Sequence, residues 1–456
     1  MAPSNAFWKM CNAIFPLRDF LYLLQLEEYE TRQYARRALR RYLRRGFEQR
    51  DTLKWTPRII VIAALTCILM ILFSAVLMSG ETIFFSVISV VITLLITPDA
   101  VLLANVISKP LFLIAHARLN ARARKARAVM PNLRVIAIAG SYGKTTTKNL
   151  LYDMVRAHFK TQLIEGNINT TAGIAQWMLK KLDRSTELLI VEMDAYHPGE
   201  IAASCSIVQP NMSIITSIGD QHLVRFGSQA KIVQALQEVF AETVTDGLRV
   251  CSANVSSILK EYGYDHRVQM ISIDAPMYQG ESMSLDAFSN SVREDAAYAM
   301  AIAESLHVPK RFVDEALRSF VLPGRRQQVG EVFGYEGIDD SYNISVATAE
   351  AGVTAASNLA KKVGKKLVVL TAGIPELPLK ESQKENAQYG AFLAEHADAV
   401  LVLKSEHFTD VVSGIDGKIP MMSAKNLAEA VPILHAQCPI ENFVLLFQPE
   451  LTDASY

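Results

Sequence analysis

A chain of 456 residues is too long for one ordinary hydrophobic core and implies two or three domains. Its formal net charge of zero conceals an asymmetry: residues 1–134 hold 19 Lys and Arg against 8 Asp and Glu, and the rest hold 27 against 38, so this is a basic front on an acidic body rather than a uniformly basic chain. The five cysteines, Cys11, Cys67, Cys205, Cys251 and Cys438, are odd in number, far apart and without a C-x-x-C pair, which argues against a disulfide framework and a zinc site and suits a reducing compartment.

Residues 1–57 start aromatic and apolar (Phe7, Trp8, Phe15, Phe20, Tyr22) and then turn basic, with Arg32, Arg36, Arg37, Arg40, Arg41, Arg44 and Arg45 interleaved with Tyr34, Ala38, Leu39, Tyr42 and Leu43. That spacing predicts an interfacial amphipathic helix whose arginines face anionic lipid headgroups. A nucleic-acid partner is not expected, because an uncharged run of twenty residues, Ile59 to Met78, follows directly and is long enough to cross a bilayer as helix. A second uncharged run, Thr82 to Thr97, continues past Pro98 and Asp99 to Ala104. Arginines precede the pair, Lys109, Arg118, Arg122, Arg124, Lys125 and Arg127 follow it, and the turn between has none. Residues 58–108 therefore read as a two-helix membrane hairpin with both termini cytoplasmic, and residues 109–130 as a basic linker. A cleaved signal peptide does not fit a run that starts this late. The alternative, a buried hairpin of a soluble core, leaves the double basic flank unexplained.

Pro131 opens a stretch in which strands alternate with helices, the pattern of an α/β sheet. Val135 to Ala139 is an apolar strand; Gly140-Ser141-Tyr142-Gly143-Lys144-Thr145-Thr146 is a glycine-bounded turn; Asn149 to Val155 continues as helix. Strand, glycine loop and helix in this order form a phosphate cradle: backbone N–H groups close on phosphate oxygens, Lys144 reaches the β- and γ-phosphates, and the Thr145 hydroxyl ligates Mg²⁺. The spacing departs from the usual one in having Ile138 where a first glycine would stand. The rival reading is a plain strand-to-helix turn with a solvated lysine. Further strands are expected at Leu188 to Glu192, Met212 to Thr216, Lys366 to Thr371, Ala399 to Leu403 and Phe443 to Phe447, with helices over Leu223 to Phe240, Asp295 to Leu306, a segment ending near Leu359, and Asn386 to Glu395. Leu322-Pro323-Gly324-Arg325 divides the stretch into residues 131–322 and 323–456.

Six ordered motifs carry a resemblance: the loop Ala139 to Thr146; Gly166-Asn167-Ile168-Asn169; Val191-Glu192-Met193-Asp194-Ala195-Tyr196-His197-Pro198-Gly199-Glu200-Ile201; His222-Leu223 with Phe226-Gly227-Ser228; Pro323-Gly324-Arg325; and Asp339-Asp340-Ser341-Tyr342-Asn343. In this the chain resembles the Mur ligases, ATP-dependent enzymes that form amide bonds in peptidoglycan precursors, and most of all their D-alanyl-D-alanine-adding branch. The resemblance implies an α/β architecture: a P-loop central domain with a mostly parallel sheet and a Rossmann-like C-terminal domain, here behind the membrane hairpin. It implies ATP and Mg²⁺ as cofactors; Lys144, Glu192 and His222 as catalytic groups; Thr145, Glu192 and His222 as metal ligands; and Gly140 to Thr146, Arg325, Asp340 and Asn343 as nucleotide contacts. Asn167, Asn169 and Thr170 would face the substrate, an amino acid or dipeptide joined to a carboxylate-bearing envelope precursor.

Taken singly, Glu192 is also an ordinary strand-end carboxylate, His222 a loop histidine, Asp340 or Ser341 a helix cap, and the asparagines turn residues. The resemblance breaks in four places. The family's UDP-binding amino-terminal domain has the membrane hairpin in its place. The metal-bridging carbamylated lysine would fall at Leu236, with Lys231 five residues away and off that helix face. The family's adenine-contacting segment is not recognisable around Asn290 to Asp295. Its C-terminal lysine-glycine-serine-arginine stretch is Phe447-Gln448-Pro449-Glu450. Two functions follow: a membrane-anchored ATP-dependent ligase, or a nucleotide-binding, catalytically silent scaffold that gathers cell-wall proteins at the bilayer.

Overall fold

A computed structural model describes residues 17–27, 29–43, 53–77, 92, 95–166, 168–219, 223–271, 290–320, 328–341, 344, 346–375, 377 and 379–449. The chain divides into two units, Met1–Arg118 and Leu119–Tyr456.

The first unit is helical: α1 (Leu17–Leu26), α2 (Thr31–Leu43), α3 (Pro57–Leu77) and the start of α4 (Thr97–Ala128). Tyr34 and Ala38, one helical turn apart on α2, are buried, whereas Arg32 and Arg36 are exposed, the two-sidedness that the arginine spacing predicts. Tyr34 and Ala38 share a core with Phe20, Leu21, Leu24, Ile59, Ile62, Val101 and Ala104. Two charged groups inside it have partners: Glu27, 2% exposed, pairs with Arg37 at 2.7 Å, and the Arg58 guanidinium lies 3.8 Å over the Tyr29 ring and donates to Asn105 Oδ1 at 3.4 Å.

Helices α3 and α4 are both long and apolar enough to cross a bilayer. Large apolar side chains are exposed on both, Ile60, Ile68, Ile71, Leu72 and Val76 on α3 and Leu103, Ile107, Leu111 and Ile114 on the earlier part of α4, whereas the later part of α4 exposes Arg118, Arg122, Arg124 and Lys125. Most of the expected second span, Thr82 onward, lies outside the described residues. The second apolar helix that is described starts at Thr97 and runs unbroken through Pro110 to Ala128, so most of the expected basic linker is helix.

In the second unit the first sheet has the order β2-β3-β1-β4-β5-β6, all parallel, from β1 (Arg134–Ala139), β2 (Thr161–Leu163), β3 (Leu188–Glu192), β4 (Met212–Ile215), β5 (Leu248–Ser252) and β6 (Gln269–Ile271). Helices link the strands: α5 (Lys144–Val155), α6 (Thr171–Lys181), α7 (Glu200–Val208), α8 (Leu223–Phe226), α9 (Gln229–Ala241) and α10 (Ala253–Glu261), with α11 (Asn290–Ser305) and α12 (Lys310–Ser319) after the last strand. Strands buried on both faces need apolar residues at every position. Val135, Ala137 and Ala139 enter one core with Leu189 and Val191, and Ile136 and Ile138 enter the other with Leu188 and Ile190. The single helix expected over Leu223 to Phe240 is two, broken where Gly227 takes φ 78° and Ser228 becomes the extended cap of α9.

The second sheet has the order β11-β10-β9-β12-β8-β7. It comprises β7 (Gln328–Val332), β8 (Tyr335–Asp339), β9 (Lys366–Thr371), β10 (Ala399–Leu403), β11 (Met421–Ala424) and β12 (Phe443–Gln448), with helices α13 (Val346–Val363), α14 (Leu379–His396), α15 (Phe408–Ile415) and α16 (Leu427–Gln437). It is parallel except for the β7–β8 hairpin.

Candidate functional site

In the first sheet β1 lies between β3 and β4, so connections leave its carboxyl end in opposite directions and open a crevice there. The loop Gly140 to Gly143 occupies that end. Gly140 has φ 142° and Gly143 φ 83°, and Gly143 caps α5. A side chain at either would meet protein: Thr216 Oγ1 at Gly140 and the Asp295 carboxylate at Gly143. The loop is laid against the segment after β4, where Ser141 N donates to Ser217 O at 3.0 Å, Tyr142 N to Ser217 Oγ at 2.7 Å and Gly219 N to Ser141 Oγ at 2.9 Å. The Ser141 and Tyr142 amides are thus bonded to Ser217, and α5 begins directly after the loop with Gly143 as its cap, so the helix N-terminus is the part of this turn that suits a phosphate. Gly143→Ala is expected to cost about 1–2 kcal/mol in left-handed backbone strain alone, read as a lowered unfolding midpoint of the second unit.

Four charged side chains converge beside the loop. Lys144 Nζ donates to Gly140 O at 2.5 Å and Ser141 O at 3.3 Å and lies 3.5 Å from Asp194 Oδ1. Thr145 Oγ1 donates to Glu192 Oε2 at 3.1 Å. That same carboxylate oxygen pairs with Lys148 Nζ at 2.8 Å, and Lys148 also donates to Gly166 O at 3.0 Å. Glu192 is 4% and Lys148 1% exposed. Burial works against the Glu192 charge, but Lys148 and Lys144 outweigh it and hold the carboxyl below its ordinary range. A hydroxyl and an ionised carboxylate in hydrogen-bond contact are hard oxygen donors that fit one Mg²⁺. Among the described residues there is no group of three or more His, Cys, Asp or Glu that would enclose a metal by itself.

Asn169 Nδ2 lies 3.5 Å from Asp194 Oδ2, while the Thr170 hydroxyl caps α6 by accepting from Gly173 N at 3.4 Å. Thr146 is buried in the first turn of α5. Asn167, His222, Arg325 and Asn343 lie outside the described residues, as does the expected Pro323-Gly324 hinge. Asp340 belongs to the second sheet. It follows β8, is 5% exposed, and accepts from Gln448 Nε2 at 2.9 Å, while Gln448 Oε1 accepts from Tyr389 at 2.6 Å.

Three polar residues of the first site are not among those the sequence predicts: Lys148, Asp194 and Asp295. Lys148 shares a helix face with Lys144 at i, i+4, the one signal available. Asp295, 7% exposed, accepts from Thr147 Oγ1 at 3.3 Å and comes from α11, far along the chain. Leu236, where a metal-bridging lysine would fall, is 5% exposed in the apolar core of the first sheet.

Residues 138–298 match the model of the Mur ligase middle domain. It is 25% identical over 275 residues to the UDP-N-acetylmuramoyl-tripeptide–D-alanyl-D-alanine ligase of Bacillus subtilis, an alignment covering 55% of this chain and 59% of that protein. It is 26% identical over 310 residues to the ligase of the same name from Escherichia coli, covering 62% and 67%. Among solved structures, the MurF ligase of Thermotoga maritima in complex with ADP shares the fold, with TM-score 0.62, 21% identity and coverage of 74% of this chain and 80% of that one. The chain thus spans 59% of the length of its Bacillus relative.

Proposed function

We propose that the chain is a membrane-anchored, ATP- and Mg²⁺-dependent ligase that joins an amino acid or dipeptide to a carboxylate of a cell-envelope precursor. The observation that carries this reading is the contact of Thr145 with Glu192, set beside Lys144 at the carboxyl ends of β1 and β3. Bound ATP would supply its γ-phosphoryl group to the carboxylate, with ADP as leaving group, and the amine would then attack the acyl carbon, expelling phosphate as the nitrogen loses a proton. Lys144 and the loop amides hold the β- and γ-phosphates; Thr145, Glu192 and His222 hold Mg²⁺; Arg325, Asp340 and Asn343 contact the nucleotide from residues 323–456; Asn167, Asn169 and Thr170 face the substrate. The names of the relatives make D-alanyl-D-alanine the first amine to try.

The reading places α3 and α4 in the cytoplasmic membrane, with residues 131–322 and 323–456 as cytoplasmic domains. An apolar surface on both helices and arginines on α2 support it. A ligase held at the bilayer gains effective concentration on a lipid-linked acceptor.

The test is phosphate release from ATP by the detergent-solubilised full chain, with and without D-alanyl-D-alanine and a lipid and precursor extract. Release that needs both additions supports the ligase and allows the acceptor to be fractionated. ATP binding without stimulated release sinks it and leaves the silent scaffold, the reading that buried Leu236 favours.

A further inference from the structure

Lys148 is buried deeper than any other charge at the site, and its ammonium has a specific seat: Glu192 Oε2 at 2.8 Å and Gly166 O at 3.0 Å. A buried ammonium is retained where it is paired. Its partner is the carboxylate oxygen that also takes the Thr145 hydroxyl, so the group nearest to any cation on Thr145 already has a permanent positive neighbour. A divalent ion bound at about 2.1 Å from that oxygen would stand one oxygen away from the ammonium. Two such ions would add four positive charges to a cluster in which Lys148 and Lys144 already face the Glu192 and Asp194 carboxylates, with repulsion between the cations that burial strengthens. Leu236, where the resemblance would put a further metal-binding side chain, is packed in the apolar core and supplies no ligand.

We propose that Lys148 is the fixed cation of this site: it positions Glu192 and stands in for a second divalent ion, so that the nucleotide complex holds one divalent ion per chain. This rests on the nucleotide-binding part of the ligase reading and adds to it a metal count and a positioning residue.

The test counts Mn²⁺ by electron paramagnetic resonance in the detergent-solubilised full chain saturated with a non-hydrolysable ATP analogue. The expected result is one bound Mn²⁺ per chain, unchanged in Lys148→Arg. Two tight Mn²⁺ per wild-type chain overturn the inference, and this arm needs no variant to fold. In Lys148→Gln, Glu192 loses its competing cation, so Mn²⁺ should bind at least tenfold more tightly or in a second equivalent. A folded Lys148→Gln with wild-type count and affinity also overturns it. One Mn²⁺ without turnover on any amine leaves the metal count standing and removes the ligase; two with turnover does the reverse; no nucleotide complex removes both.

Discussion

Replacing Lys148 by methionine is expected to destabilise the second unit by about 3–5 kcal/mol, because it leaves Glu192 ionised in a buried site without its nearest cation. The double variant Glu192→Met/Lys148→Met should recover most of that loss, since two apolar side chains of similar volume remove both charges together. Denaturant unfolding of the four members of the cycle measures the coupling directly. The pH dependence has a defined sign. In the folded protein the Glu192 carboxyl is held below its ordinary range, so the pair's contribution is fully present above the unfolded carboxylate value and is lost as pH falls through the lowered folded value. The gap between wild type and Lys148→Met should therefore be widest near neutrality and narrow in acid. A gap that stays constant down to acid pH would show that the lost stability is packing rather than charge.

Lys144→Ala is expected to remove phosphate release from ATP by a factor of about 10³ or more, equivalent to about 4 kcal/mol of barrier, with less effect on unfolding than Lys148→Met. The physical difference lies in what each ammonium holds. Lys148 neutralises a buried carboxylate, whereas Lys144 rests on two loop carbonyls and is 3.5 Å from Asp194, whose side chain is 19% exposed. The Lys144 head is thus held by groups it can leave, and its departure strands no fully buried charge. Phosphate release and melting of the same sample separate the two effects; a Lys144→Ala chain that melts normally and still turns over ATP would remove the loop from the chemistry.

Much of the second unit was legible because parallel strands covered on both faces leave a strong local signal. Val135 to Ala139, Leu367 to Leu370 and Ala399 to Leu403 are uninterrupted apolar runs and lie in β1, β9 and β10. Strands β2, β6 and β7 left no such signal: they lie toward the sheet edges, short or exposed, and their residues are mixed. The glycine loop was legible from its residues; its surroundings were not. Lys148 reads locally as one more lysine on a helix, and its burial is created by β3 and by the segment around Gly166. Asp194 carries its meaning in a 3.5 Å approach to Lys144 across some fifty residues, and Asp295 in its approach to Gly143 from a distant helix. Charge partners so far apart in the chain are tertiary facts, which neither periodicity nor spacing encodes.

Asp295 and Tyr298 have a consequence for how the chain is made. Both belong to α11, which also supplies Ala296, Ala299, Met300 and Ile302 to one face of the first sheet, and Tyr298 donates to Thr216 O at 2.7 Å just behind the loop. The helix that backs the loop is therefore synthesised about 150 residues after the loop itself. At roughly 5–20 residues per second, that is a delay of order ten seconds or more, during which Ile136, Ile138, Leu150, Leu151 and Ile214 have no cover from α11. A nascent chain stopped short of residue 290 would present an apolar sheet face and an unsupported phosphate loop, making it a substrate for holdase chaperones rather than a small working nucleotide-binding protein.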